Sequence, residues 1–99
     1  MIYARFREHG DTLTGLTVKG HSGSAAHGED LVCAAVSGIM FGLCNACDQL
    51  GSYDIEVADN LIRIENLGED DTVLRVGLLQ LQTVEETNRR YVKVEISEV

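Results

Sequence analysis

Proline is missing from the chain entirely, so its ten glycines have to supply the breaks between elements. Positive charge is also scarce, with eight basic side chains against sixteen acidic ones and a formal net charge of −8. A surface of that sign repels phosphate backbones and anionic membrane, which excludes nucleic acid and membrane as expected partners and favours cationic ones. There is no basic stretch leading into a leader-like apolar run. Nor does any uninterrupted apolar stretch approach the roughly 20 residues that span a bilayer. The expectation is a cytoplasmic protein. Cysteine is limited to three residues, an odd number. Two of them, Cys44 and Cys47, sit on one apparent helix, and a chain with its own core needs no disulfide staples, so all three read as reduced thiols.

What is present fits one domain covering residues 1–99, since a chain of 99 residues with 44% hydrophobic content can bury a single modest core. Residues 2–7, IYARFR, alternate Ile2, Ala4 and Phe6 with Tyr3, Arg5 and Arg7. The EHGD turn and the following LTGLTVKG make this a hairpin. DLVCAAVSGIMFGLCNACDQLG (30–51) has helical length and a glycine stop. DIEV (54–57) and LIRIE (61–65) form a second hairpin through Ala58, Asp59 and Asn60. Residues 69–91 read as a second helix, with acids in its first turn and Arg89 and Arg90 in its last, matching the helix dipole. VKVEISEV closes the chain as a strand. No linker, internal repeat or low-complexity segment interrupts this order. The fold expected is α+β, a two-layer sandwich of order β-β-α-β-β-α-β with two helices packed on one face of a mostly antiparallel sheet.

The segment GHSGSAAHGEDLVCAAVSG (20–38) joins a loop of small residues and two histidines to an apolar helix. At about 100° per residue, Val32, Val36, Ile39, Leu43, Ala46 and Leu50 make a core stripe. Cys33, Ser37, Met40, Cys44 and Cys47 make a neighbouring one. With Asp30 as N-cap, Cys33 occupies N3, where unpaired backbone N–H groups and the positive end of the dipole favour a thiolate. His21 and His27 both lie within chain reach, and glycines at 20, 23 and 28 let either ring approach the sulfur as a base. Spacing does not choose between the two histidines. A cysteine in an apolar helix is also commonly just a small buried hydrophobe, a loop histidine a solvated polar residue, and Ser37 a hydroxyl bonded back to its own helix.

Two other motifs fail on chemistry. Gly23 to Gly28 has the spacing of a phosphate cradle, but Glu29 and Asp30 stand where that loop requires lysine and a hydroxyl residue. Cys44-Asn45-Ala46-Cys47 is a CxxC inside a helix without a second ligand pair, so neither zinc nor a thiol redox couple is expected, and no metal or cofactor is implied.

Gly20, His21, Gly28, Asp30, Leu31, Val32, Cys33, Ala34 and Ser37 together resemble the signature of the ribosomal-processing cysteine protease family, Prp. LQLQTVEE (79–86), the length, the acidity and the element order are similar to it as well. The resemblance implies a cysteine endopeptidase that removes the N-terminal extension of a large-subunit ribosomal protein. Carried over position by position, Cys33 is the nucleophile, His21 the general base, and Asp30 and Ser37 are supports. His27 inherits no role. Ser22 departs from the alanine common in the family, with little change in size. Gly20, Ser22, Gly23 and Gly28 then belong to a substrate loop (20–29) that closes on the peptide, and a homodimer is similar to what the family forms. The alternative from another class is a non-catalytic module that binds basic ribosomal proteins, with Cys33 merely packed.

Overall fold

The computed structural model of the chain describes residues 1–20 and 27–99, with the backbone alone for 27–30. Seven elements follow one another: β1 (Ile2–His9), β2 (Thr12–Lys19), α1 (His27–Leu50), β3 (Tyr53–Ala58), β4 (Leu61–Asn66), α2 (Thr72–Thr87) and β5 (Val92–Glu98). The strands form one sheet of order β3-β4-β2-β1-β5, in which β1 and β5 run parallel and the other pairs antiparallel. The fold is the expected α+β arrangement. Both hairpin turns use a left-handed residue where a tight reversal demands one, Gly10 at φ 61° and Asn60 at φ 63°.

Alternation along the strands divides the sheet cleanly. Ile2, Ala4 and Phe6 of β1 are buried beneath the helices, and register places them beside Val18 and Leu16 of β2. A bulge between Arg7 and Glu8 shifts the pairing so that Leu13 returns to the helix side, where it is fully buried. The core is completed by Ile64, Val92, Leu74, Leu78 and Leu81, and by Val32, Val36, Met40, Leu43 and Cys47 of α1. The face of α1 that enters the core is therefore rotated from the expected stripe toward the cysteines. Leu50 is exposed, Ile39 only partly buried, and Met40 and Cys47 take the interior places. The spacing 32, 36, 40, 43, 47 satisfies a helical face equally well, and composition alone does not choose between two adjacent apolar stripes.

Leu31–Leu50 is a 20-residue stretch of mean hydropathy 1.6, long and apolar enough to cross a bilayer by length and composition. Only 28% of that window is buried, through the single stripe Val32, Val36, Met40, Leu43 and Cys47. α2 is shorter than the expected 69–91, and its flanking charges have local work. Asp70 accepts the Thr72 N–H at 2.8 Å. Asp71 sits at the N-cap position without a capping bond. It accepts the Leu13 N–H at 2.7 Å and pairs with Arg75 at 2.8 Å, tying α2 to the β1–β2 turn. Arg89 and Arg90 lie beyond the last helical turn.

The opposite face of the sheet is open and gathers five of the eight basic side chains, Arg5, Arg7, Lys19, Arg63 and Lys93. Only Asp54, Glu56, Glu65 and Glu95 of the sixteen acidic residues share it. Arg7 is the anchor there, bonded to Glu65 at 2.6 Å and to Thr17 at 2.8 Å over the bare backbone of Gly15. The chain's negative charge therefore lies on the helix side and the molecule's ends.

Two stability predictions follow from this packing. Gly77 is buried where α2 meets α1, and an added Cβ would lie 2.6 Å from Leu43 Cδ2. Gly77→Ala is expected to cost about 1–3 kcal/mol through overpacking, read from urea unfolding midpoints. The Leu13 hydrogen bond, and after it Arg75, holds the Asp71 carboxyl below the usual carboxylate range. A depressed folded-state pKa contributes stability above the ordinary aspartate pKa and loses it as pH falls through the folded value. Asp71→Ala should therefore destabilise at pH 7 by about 1–2 kcal/mol, with the difference from wild type shrinking in acid.

Candidate active site

Cys33 stands on the flank of α1 beside the core stripe and is partly buried. The helix begins earlier than expected. With His27 as its first residue, Asp30 is inside the first turn rather than at the cap, and Cys33 belongs to the second turn. The N–H groups without intrahelical partners belong to the first four helical residues and the dipole effect fades within that turn. Dipole activation of the thiol at N3 is therefore set aside. Gly28 also falls inside α1, so the connecting loop is shorter than the expected 20–29.

Helical spacing nevertheless gathers the expected support positions. Asp30, Cys33 and Ser37 are three and four residues apart, which puts them on one stripe of α1. Phe41, one turn further, continues the stripe and is 64% exposed. His27 lies six positions before Cys33, about 240° around the axis and about 9 Å along it. The helix therefore sets the backbones of these two residues on different faces. His21, Ser22 and Gly23 lie outside the described residues. The remaining histidine, His9, is at the opposite end of β1, about 20 Å along the strand from Ile2, with its Nδ1 2.7 Å from the Val99 carbonyl oxygen.

Cys33 and Ser37 open onto a groove of about 250 Å³ between α1 and the tip of the β3–β4 hairpin. Its walls are apolar: Phe41 and Met40 from α1, Val57 and Leu61 from the hairpin, and Ile2 and Val18 from the sheet below. Gly20, where β2 ends, closes one end. It adopts φ 91°, donates its N–H to the Asn60 carbonyl at 3.2 Å, and leaves no room for a Cβ against the Met1 carbonyl. This glycine is required by both conformation and close approach. The hairpin wall is the part of the site that the sequence did not reveal, because only the strand order brings residues 57–61 beside residue 33. Phe41 was within reach of sequence reasoning, being eight positions from Cys33 on the same helical stripe.

The other two thiols face a different environment. Burial raises the Cys44 thiol above its ordinary value. Burial, and then the neighbouring Cys44, pushes Cys47 up to about 11. Raised thiols of this kind are poor partners for disulfide exchange, which weighs against a redox couple there. Among the described residues no cluster of three or more metal-ligating side chains occurs.

Comparison with known proteins gives the same direction. A Staphylococcus aureus protein named ribosomal processing cysteine protease Prp is 35% identical over 82 residues, spanning 75% of this chain and 77% of the relative. The S. aureus ribosomal processing protease Prp solved with a covalently linked product peptide superposes with a TM-score of 0.82 at 28% identity, covering 98% of this chain and all of that one. A Streptococcus mutans protein, SMU.848, gives a TM-score of 0.83 at 26% identity over 100% of this chain and 96% of its own. Residues 1–93 match the family described as cysteine protease Prp. A chain matched over almost its full length, whose helical cysteine opens onto an apolar groove, is a cysteine peptidase rather than a passive binding module, and it belongs to the Prp family.

Proposed function

We propose that this peptidase removes the N-terminal extension of a large-subunit ribosomal protein in the cytoplasm, with Cys33 as nucleophile and His21 as general base. The observation that carries the reading is the position of Cys33. It is the one cysteine of the three that lines an open groove, and it shares a helical stripe with Asp30 and Ser37. In this mechanism the Cys33 sulfur attacks the scissile carbonyl and forms a thioester as the C–N bond breaks. His21 delivers the proton to the leaving amine, then takes one from the water that hydrolyses the thioester. Asp30 and Ser37 flank the nucleophile by one turn on either side and act as supports. The apolar walls of Phe41, Val57 and Leu61 select an apolar side chain next to the scissile bond.

Gly20, the residue before His21, is held by the hairpin through its bond to the Asn60 carbonyl. Closure of segment 20–26 on the peptide, with Ser22 and Gly23 in it, assembles the catalytic pair only around substrate. The acidic helix side suits the cationic body of a ribosomal protein. A homodimer is the proposed assembly, and the exposed Leu50, Val76 and Leu79 beside the α1–α2 groove offer apolar surface for it.

Cys33→Ala and His21→Ala should each lower cleavage of the extended ribosomal precursor from the same genome by about 10⁴-fold or more. Peptide affinity and the unfolding midpoint should stay near those of wild type. Mass spectrometry of the product reads the new N-terminus, and cleavage by Cys33→Ala at the wild-type rate sinks the assignment. The thiols should also separate by reactivity. Near pH 8, iodoacetamide is expected to label Cys33 in the folded protein well before Cys44 or the buried Cys47, as peptide mapping would show. Equal labelling of all three in the native state contradicts the assigned environments.

A further inference from the structure

The β3 strand is an edge of the sheet, and its Val57–Ala58 end forms part of the wall of the Cys33 groove. Among the described residues β3 is hydrogen-bonded on one side only, to β4. Its other side presents a row of backbone donors and acceptors running into the groove. The six residues Tyr53–Ala58 extend about 20 Å, enough to pair with a short extended peptide. Val57, on the helix side, is 60% exposed.

The side chains of β3 state what chemistry an added strand must have. Ile55 and Val57 point to the helix side, and Asp54 and Glu56 to the open side. Glu56 is shared with Arg63 across the hairpin at 3.5 Å. Asp54 stands opposite Glu65, a carboxylate already held by Arg7, and no cationic side chain among the described residues reaches Asp54. Like charges facing one another across strands are destabilising, and a cation on the vacant side offsets them. A second copy of β3 would instead bring more carboxylates against this edge.

We propose that the free edge of β3 is the docking strand for the substrate, taking an extended segment in which apolar and basic residues alternate and guiding one end of it into the Cys33 groove. The proposal rests on the reading of that groove as the peptidase site. Main-chain hydrogen bonds to β3 give affinity at every second residue. The apolar set lies on the shelf of Ile55 and Val57, and the basic set faces Asp54 and Glu56. The device recognises a pattern rather than a fixed sequence and holds the chain extended, as nucleophilic attack on a peptide carbonyl requires.

The test is titration calorimetry with the uncleaving Cys33→Ala protein and a peptide of alternating leucine and lysine. N-methylation of the amides one at a time should weaken binding about tenfold at every second position and by less than about twofold between them. A double variant, Asp54→Lys with Glu56→Lys, should reverse the preference toward a peptide carrying glutamate in place of lysine. N-methylation without a two-residue period overturns the proposal, as does a charge-reversed edge that keeps its preference for lysine. Because the assay needs no turnover, a periodic pattern in a wild-type protein that cleaves nothing would leave the docking strand standing and remove the peptidase reading. Cleavage without the pattern would do the opposite.

Discussion

The seating of α1 on the sheet is the constraint from which the site follows. Val32, Val36, Met40, Leu43 and Cys47 are pressed against Ile2, Ala4, Phe6, Val18 and Ile64, and that contact fixes the rotation of the helix about its axis. Turned by one position, Cys33 would be either fully interior or fully in solvent. As seated, it lies at the boundary, with its carbon side against the core and its groove open to a peptide. Burial of the stripe contributes on the order of 1.5–3 kcal/mol per large apolar side chain, so the thiol's exposure is held by the most strongly packed part of the molecule.

The elements were largely legible in the sequence because two-residue alternation in the strands and helical length in 30–50 are strong local signals. The less legible features were those decided between elements. The two apolar stripes on α1 differ by a fraction of a turn, and only the depth of the sheet beneath Met40 and Cys47 separates them. The start of α1 was misplaced for a local reason: Gly28 and its small neighbours weaken helix propensity, yet the helix runs back to His27. The acids before α2 look like dipole partners in sequence, whereas Asp71 is used to hold the β1–β2 turn.

At the site, spacing could place Cys33 on one helical stripe with Asp30 and Ser37, but it could not supply the facing wall. Val57, Asn60 and Leu61 are more than twenty residues from Cys33 and arrive through the order β3-β4-β2. The family resemblance implies His21 rather than His27, and His21 lies outside the described residues.

The division of charge between the two sides of the sheet has one further consequence. The open face is close to neutral, with five basic against four acidic side chains, while the surplus negative charge lies elsewhere, which gives the molecule an electric dipole roughly normal to the sheet in addition to its net charge. A positively charged chain approaching from solution feels a torque as well as an attraction, and meets the enzyme with the helix side already turned toward it. Orientation of the encounter is thus built in before any contact forms, and its reach contracts with the Debye length, from about 10 Å at 0.1 M salt to about 3 Å at 1 M.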